Sequence, residues 1–408
     1  VASSRRHGTG TNQEAVRRHN LATLLGHVHR SGGVSRAQLT ERMALNRSTI
    51  GDLVRQLDDL ALVSQEVPEA GATSRAGVGR PSLDVIPDPQ SVIVLAAELG
   101  VDMLEVARVG LGGSVLERLS RPTPLDHDPG ALADLLVDMA QALLAAADPG
   151  SRLVGISVAV PGVVNDVDGV VRFAPNLGWS DVDFRASLAE RLGGDARVRL
   201  GNDAELGALA EHIRGAGRSH SHLVYLSADV GVGGGVIVEG QPMRGASGYA
   251  GEVGHQRFDG GETRCRCGNL GCWETEIGSY AVADAVGCPQ HQMHLLQEYL
   301  RPGMPVTPEL RRLGQHLGVG LGGLVNVFNP EVIILGGVLR WVLPLVREEV
   351  HDALVTWALP APAQEAEIVV PGLGGDSVII GAAELAFGDL LADPVATLQR
   401  VERTPSLS

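Results

Sequence analysis

The sequence predicts an α/β protein built as two successive lobes behind a small helical head. Two observations carry that class. From Ser91 onward short β-rich runs alternate with helical ones, and the same texture starts again near His222, as two packed α/β halves with a ligand cleft between them would require. Before Ser91 the texture differs, with helical stretches broken by turn residues.

With 408 residues the chain is long enough for two or three domains, each burying its own core. A content of 44% hydrophobic, 20% charged and 3% aromatic residues is that of an ordinary globular protein and not of a disordered one. No apolar run is long enough to span a bilayer, and the opening VASSRRHGTG lacks the apolar core of a signal peptide. The expected compartment is the cytoplasm, with no membrane partner. The net charge of −15 is unevenly spread: residues 1–90 hold eleven arginines against nine acids, and residues 91–408 hold 22 against 39. Only the front of the chain could approach a polyanion, because the rest would be repelled by it. Every basic residue is an arginine, which lowers the weight that any single one carries.

In the head, a helix is expected from Gln13 to about Arg30, with Val16, Leu21, Leu24, Leu25 and Val28 on one face, ending at Ser31-Gly32-Gly33. Ser35 followed by Gln38 is a capping box that opens a second helix, Arg36 to Met43. After Ala44-Leu45, Asn46 caps a third, whose Ile50, Leu53, Val54, Leu57 and Leu60 form a buried stripe. Helix, short helix, turn, helix is the helix-turn-helix arrangement, whose last helix enters the major groove of DNA by its N-terminal residues. Arg47, Ser48 and Thr49 then become candidate base and phosphate readers, with Ser35, Arg36, Arg55 and Arg80 as further candidate DNA contacts. Leu62 to Gln65 and Ser82 to Val85 read as the strands of a wing, so the head is a winged helix-turn-helix. Between them, Gly79-Arg80-Pro81 is narrow enough to lay an arginine into a minor groove. A flexible wing tip and linker fits that stretch equally well. A plain helical bundle is the alternative for the head as a whole.

In the body, SVIVLAAELG, LEVARVG and LVGISVAVPG read as buried strands and GALADLLVDMAQALLAAA as a helix. The strand ARVRLGND leads straight into the helix AELGALAEHI. The pattern then repeats through HLVYLSADVGVGGGVIVEG, a helix across GVGLGGLVNVF, the strand EVIILGG, a helix through Leu345, the strand AEIVV and a helix near Ala382.

Three of the four cysteines, Cys265, Cys267 and Cys272, follow His255 closely. One imidazole and three thiolates are a closed tetrahedral set for zinc, which marks a structural site with no position left for water. Gly268 and Gly271 let the backbone wrap the ion. Free buried cysteines are the alternative, but Arg264, Arg266 and Asn269 make the segment too polar for a core strand.

The combination of PGVVNDVDG, PNLGW, GNDAELGALAE, GVGGG, GYAGEVGH and CRCGNLGCWE resembles the ROK family of sugar kinases and repressors. The resemblance spans about residues 90 to 385, and the knuckle with its GEVGH element is specific to that family. It implies a two-lobed actin-like ATPase (sugar kinase-like) fold. The front ninety residues resemble the winged helix-turn-helix that the family's repressors carry and its kinases lack. The implied sugar ligands are Asn202, Asp203, Glu252, His255 and Glu274, with Asn176 at the cleft mouth and Asp203 at the kinases' catalytic-base position. His255 would give one ring nitrogen to zinc and the other to the sugar. A plain helix N-cap is the alternative for Asn202-Asp203.

In the family's kinases the first phosphate motif is Asp-x-Gly-Gly-Thr. Here Glu98-Leu99-Gly100-Val101-Asp102 stands in its place, with an aspartate for the threonine hydroxyl. The second, Gly-Thr-Gly-x-Gly, reads Asp229-Val230-Gly231-Val232-Gly233. Carboxylates where phosphate oxygens should lie oppose nucleotide binding. The expected protein is a sugar-responsive transcriptional regulator, no longer an enzyme, that binds operator DNA and a sugar or sugar phosphate as a homodimer or homotetramer. Two alternatives are an ATP-dependent sugar kinase with an added head and a regulator that answers to a protein partner. The expected domains are 1–85 for the winged head and linker, 86–202 and 203–390 for the two lobes, and 391–408 for a disordered tail.

Overall fold

The computed structural model describes residues 13–67, 82–165, 168–193, 197–258 and 260–403. Arg80 and the Gly-Arg-Pro element of the wing lie outside them.

The head consists of α1 (Gln13–Ser31), β1 (Val34–Ser35), α2 (Arg36–Met43), α3 (Arg47–Asp59), β2 (Val63–Glu66) and β3 (Asp84–Pro87). Its helices close over Leu21, Leu25, Leu39, Val54 and Leu57, all buried. Both hydrogen bonds of the Ser35–Gln38 capping box are present, and Ala44 turns the chain out of α2 with φ at 52°. The wing strands run later than expected, and β1 adds a third in the antiparallel order β1-β3-β2. Two residues are too few to leave a periodic signal.

The first lobe follows with β4 (Val92–Leu99), β5 (Met103–Gly110), β6 (Ser114–Pro122), α4 (Pro129–Ala145), β7 (Arg152–Val160), β8 (Val163–Asn165), β9 (Val170–Ala174), β10 (Trp179–Val182), α5 (Phe184–Arg191) and β11 (Val198–Asn202). Helix α6 (Asp203–Ile213) leaves directly from β11. The second lobe holds β12 (Leu223–Ala228), β13 (Val232–Val238), β14 (Gln241–Pro242), α7 (Glu274–Ile277), α8 (Ser279–Val286), α9 (Leu296–Tyr299), α10 (Pro308–Phe328), β15 (Val332–Gly337), α11 (Leu339–Val342), α12 (Arg347–Trp357), α13 (Pro360–Glu365) and β16 (Glu367–Val369). The chain returns through α14 (Ser377–Ala392) and α15 (Pro394–Val401). Leu345 lies between α11 and α12 and not inside one helix.

The two main sheets share one plan. In β11-β7-β4-β5-β6 and in β14-β13-β12-β15-β16, three strands form an antiparallel meander whose first member pairs in parallel with a fourth, which pairs in parallel with a fifth. Helix α6 lies on β12 and β13, α14 lies on β4 and β7, and the two helices pack on each other. Their crossing is tight at Gly381, where an added Cβ would stand 1.9 Å from the Leu206 carbonyl oxygen.

The expected tail from 391 needs correction. Helix α15 is capped by Asp393 and buries Thr397 and Leu398, and Leu398 joins one apolar core with the head, the β4 strand and α14. Nor does the chain up to 390 stay with the second lobe, because α14 covers the first sheet. Among the described residues no helix is long and apolar enough to cross a membrane.

Candidate functional site

The start of α6 sets the floor of a cleft. Asn202 caps the helix by accepting from the Glu205 amide at 3.0 Å, and its amide nitrogen donates to the Gly162 carbonyl at 3.0 Å, tying β11 to the loop after β7. Its side chain thus does the work of an N-cap and faces the cleft as well. Asp203 accepts from the Ala204 amide at 2.8 Å. The glycines of β13 allow that strand to lie against α6, since an added Cβ at Gly235 would stand 2.4 Å from the Ala204 carbonyl oxygen.

A cavity of about 340 Å³ opens here, lined by Asn176, Asn202, Asp203, Glu252, His255 and Glu274. The structure therefore brings together all six residues implied as sugar ligands. The two segments that the resemblance aligns with the kinases' phosphate motifs line the same cavity, one at the turn from β4 to β5 and the other between β12 and β13. Seven lining residues carry carboxylates, Glu98, Asp102, Glu105, Asp203, Asp229, Glu252 and Glu274, and none is an arginine.

Crowding among these acids changes their protonation. Burial, with Asp229 and Glu252 nearby, pushes Asp203 up to about 7. Burial also pushes Glu98 up to about 8, helped by Asp229, Asp203 and Glu105. Asp229 and Glu252 are raised too, burial again coming first. Asp229 is open to solvent in the cavity, and Arg340 and Ser227 oppose the rise in its value. Carboxyls that keep a proton near neutral pH can both donate to and accept from hydroxyl groups. Asp102 lies at the tip of its turn, and of the two aspartates it is Asp229 whose charge acts on Asp203. Glu98 was legible as the acid of the first motif, but its crowding by Asp229, Asp203 and Glu105 was not.

Above Glu274 sits the knuckle. One ligand atom each from His255, Cys265, Cys267 and Cys272 lies within 4.8 Å of the others. The Cys267 and Cys272 sulfurs are 3.7 Å apart, and Cys265 sulfur is 3.7 Å from His255 Nδ1. Zinc–sulfur bonds near 2.3 Å in a tetrahedron place their sulfurs roughly 3.8 Å apart, so these residues fit the ion. Gly268 and Gly271 have φ of 99° and 68°, values that L side chains resist, and at Gly271 an added Cβ would also stand 2.2 Å from the Gly261 carbonyl oxygen. Nδ1 of His255 faces the sulfurs, and Nε2 lies 3.8 Å from Glu252 on the cleft side. Glu274 accepts from the Cys265 thiol at 2.6 Å and from the Val232 amide at 3.3 Å, fixing it between knuckle and cleft. Asn176, in the loop between β9 and β10, accepts from Arg266 of the knuckle at 3.2 Å, a bond that spans the cleft mouth and that the sequence did not reveal.

In the head, Arg47 is exposed at the start of α3, while the Ser48 and Thr49 hydroxyls both donate to Asn46 at 2.7 and 2.9 Å. Ser35 is engaged in its capping box, Arg36 donates to Gln65 of the wing, and Arg55 is exposed beside Asp52 at 3.2 Å.

Sequence and structure comparisons agree with this geometry. The chain is 27% identical over 385 residues to a xylose repressor of Bacillus subtilis, covering 93% of this chain and 97% of that one. It is 27% identical over 311 residues to a glucokinase of Thermotoga maritima, covering 72% and 96%. A crystal structure of a ROK family transcriptional regulator, a homolog of the E. coli MLC protein, superposes with a TM-score of 0.74 at 25% identity, covering 95% of this chain and 100% of that one. The ROK family model matches residues 94–388, and the chain belongs to the ROK family.

Proposed function

We propose that this protein is a sugar-responsive transcriptional regulator, a repressor like the relatives it matches end to end, whose kinase-like cleft binds a sugar without phosphorylating it. The observation that carries this reading is the winged head. It shares one apolar core with the first lobe, and the repressor matches extend over 93% of the chain where the glucokinase match covers 72%. Arg47 at the exposed start of α3 would contact operator DNA, with the protein acting as a homodimer or homotetramer.

The cleft residues Asn176, Asn202, Asp203, Glu252, His255 and Glu274 would hold sugar hydroxyls. Zinc on His255, Cys265, Cys267 and Cys272 would fix the imidazole and its tautomer. The ion supplies no reaction there, only rigidity. A cavity with seven acids and no arginine among its lining residues offers a nucleotide's phosphates no cationic partner, and for the same reason an unphosphorylated sugar suits it better than a sugar phosphate. One observation favours a second reading, an active kinase: Asp203 survives at the base position, and a carboxyl pushed up to about 7 suits proton abstraction. A coupled assay with ATP and a hexose and pentose panel separates the two. Turnover at ordinary kinase rates of about 1–100 per second would overturn the regulator-only reading. Calorimetry with the same sugars should give heat without turnover.

A further inference from the structure

Helix α6 joins the cleft to the head. Its first turn carries Asp203 at the cavity, and its C-cap is Arg214, about 17 Å further along at 1.5 Å per residue. Arg214 does not reach for solvent. Its Nη1 donates to the carbonyl oxygen of His29, in the last turn of α1, at 3.1 Å, and its Nε donates to Glu384 Oε1, on α14, at 2.7 Å. The two Glu384 oxygens lie 3.1 and 3.0 Å from His29 Nε2. On the other side of the ring, the Gly112 amide, in the turn between β5 and β6, donates to Nδ1 at 3.0 Å. The ring also meets Phe387 of α14 edge-on, with centroids 5.1 Å apart. His29 is fully enclosed, and only 3% of the Glu384 side chain and 11% of the Arg214 side chain are exposed. Burial acting alone would raise the Glu384 carboxyl, but the His29 and Arg214 groups facing it outweigh that and hold it down at about 2.

Three parts of the molecule therefore meet at one buried cluster: the head through His29, the first lobe through Gly112, and the paired helices α6 and α14 through Arg214 and Glu384. An isolated charge pair on a surface would couple nothing, because its long side chains adjust. Here no slack exists. Helix α6 is held at its start by the Asn202 bond to Gly162, along its length by the close approach of Gly381 to Leu206, and at its end by the cluster. A displacement of its first turn must be carried to its last.

We infer that Arg214 is a positioning residue that transmits movement of the sugar cleft to the DNA-binding head through His29 and Glu384. The inference rests on the proposed sugar-responsive reading for its purpose, but not for its mechanics. Coupling between sites is reciprocal, so a head loosened at this cluster must loosen the cleft even with no ligand present.

Hydrogen exchange on the full-length, zinc-loaded protein tests it. In Arg214→Gln without ligand, amides of α1 should exchange faster, and so should those of residues 202–206 and 229–233, by about tenfold, within the usual range of such couplings. A change confined to the cluster's own surroundings, residues 25–32, 110–114, 210–216 and 380–388, would show a local brace and overturn the inference. Should Arg214→Gln fail to fold, His29→Gln and Glu384→Gln keep hydrogen-bonding groups in place and answer the same comparison. D-xylose is the probe for the second arm. If it binds, saturating D-xylose should alter head exchange in the wild type and not in Arg214→Gln; transmission through the variant would count against the inference. Failure of D-xylose and the rest of the sugar panel to bind would instead weaken the sugar reading and leave the ligand-free comparison to decide.

Discussion

Asp203 has an ordinary value of 3.8 and is pushed up to about 7 by burial and by neighbouring carboxylates. Between those values the folded protein holds a proton that the unfolded chain has released, so this residue's contribution to stability falls as pH rises across that window and is level above it. Asp203→Asn keeps an acceptor for the Ala204 amide and removes the titration. The substitution should therefore stabilise the protein more at pH 8 than at pH 5, and urea midpoints at the two values check it. An equal gain at both would mean that Asp203 is not held protonated. Individual residues were also where the sequence was least legible. His29, Arg214 and Glu384 lie 185 and 170 positions apart, and each alone reads as a polar residue on a helix. The acids of the cleft were visible as substitutions in motifs, whereas their mutual repulsion depends on a fold that brings Glu98 and Asp229 beside Asp203.

Elements whose ends are set by local chemistry were legible. Helix α2 runs from Arg36 to Met43 as its capping box requires, and α3 begins after Asn46 because that side chain satisfies the Thr49 amide. Strand β6 was missed because it is a sheet edge, largely wet, and its SVLERLSRP has no apolar alternation. Helix α15 was missed because it is short and its burial depends on the head and α14. Helix crossing gives a test at this scale. Gly381→Ala would place a Cβ 1.9 Å from the Leu206 carbonyl oxygen, forcing α14 off α6. Overpacking of this kind costs about 1–3 kcal/mol, and a lowered urea midpoint should show it. The knuckle gives another. Its backbone is held by two isolated bridges and the four ligand residues, with little apolar core of its own. Removing the metal with a chelator should lower stability by several kcal/mol, on the order seen when a structural ion holds a small motif together, and should speed exchange near Glu274. An unchanged melting curve would remove zinc from the account.

At the scale of the whole molecule, two sheets of one plan are joined through the packed helices α6 and α14, and the head shares its core with only one of them. The internal likeness was too faint in sequence because topology constrains strand order and pairing, not residue identity. Charge follows the same division. Residues 91–408 hold 22 arginines against 39 acids, so the lobes repel a polyanion while the front, with eleven arginines against nine acids, tolerates one. DNA binding should then depend on few ionic contacts, and its salt dependence should be shallow. Each phosphate contact contributes about 0.9 to the slope of log affinity against log salt. Arg47 is exposed at the N-terminus of α3, where backbone amides already favour an anion, so Arg47→Ala should reduce that slope by about 1 on a non-specific duplex. Arg312, equally exposed but on α10 of the second lobe, is the control, and Arg312→Ala should leave the slope unchanged. Fluorescence anisotropy over a salt series reads both variants. Equal losses from the two would mean that DNA meets the lobes as well as the head, contrary to the division of charge along the chain.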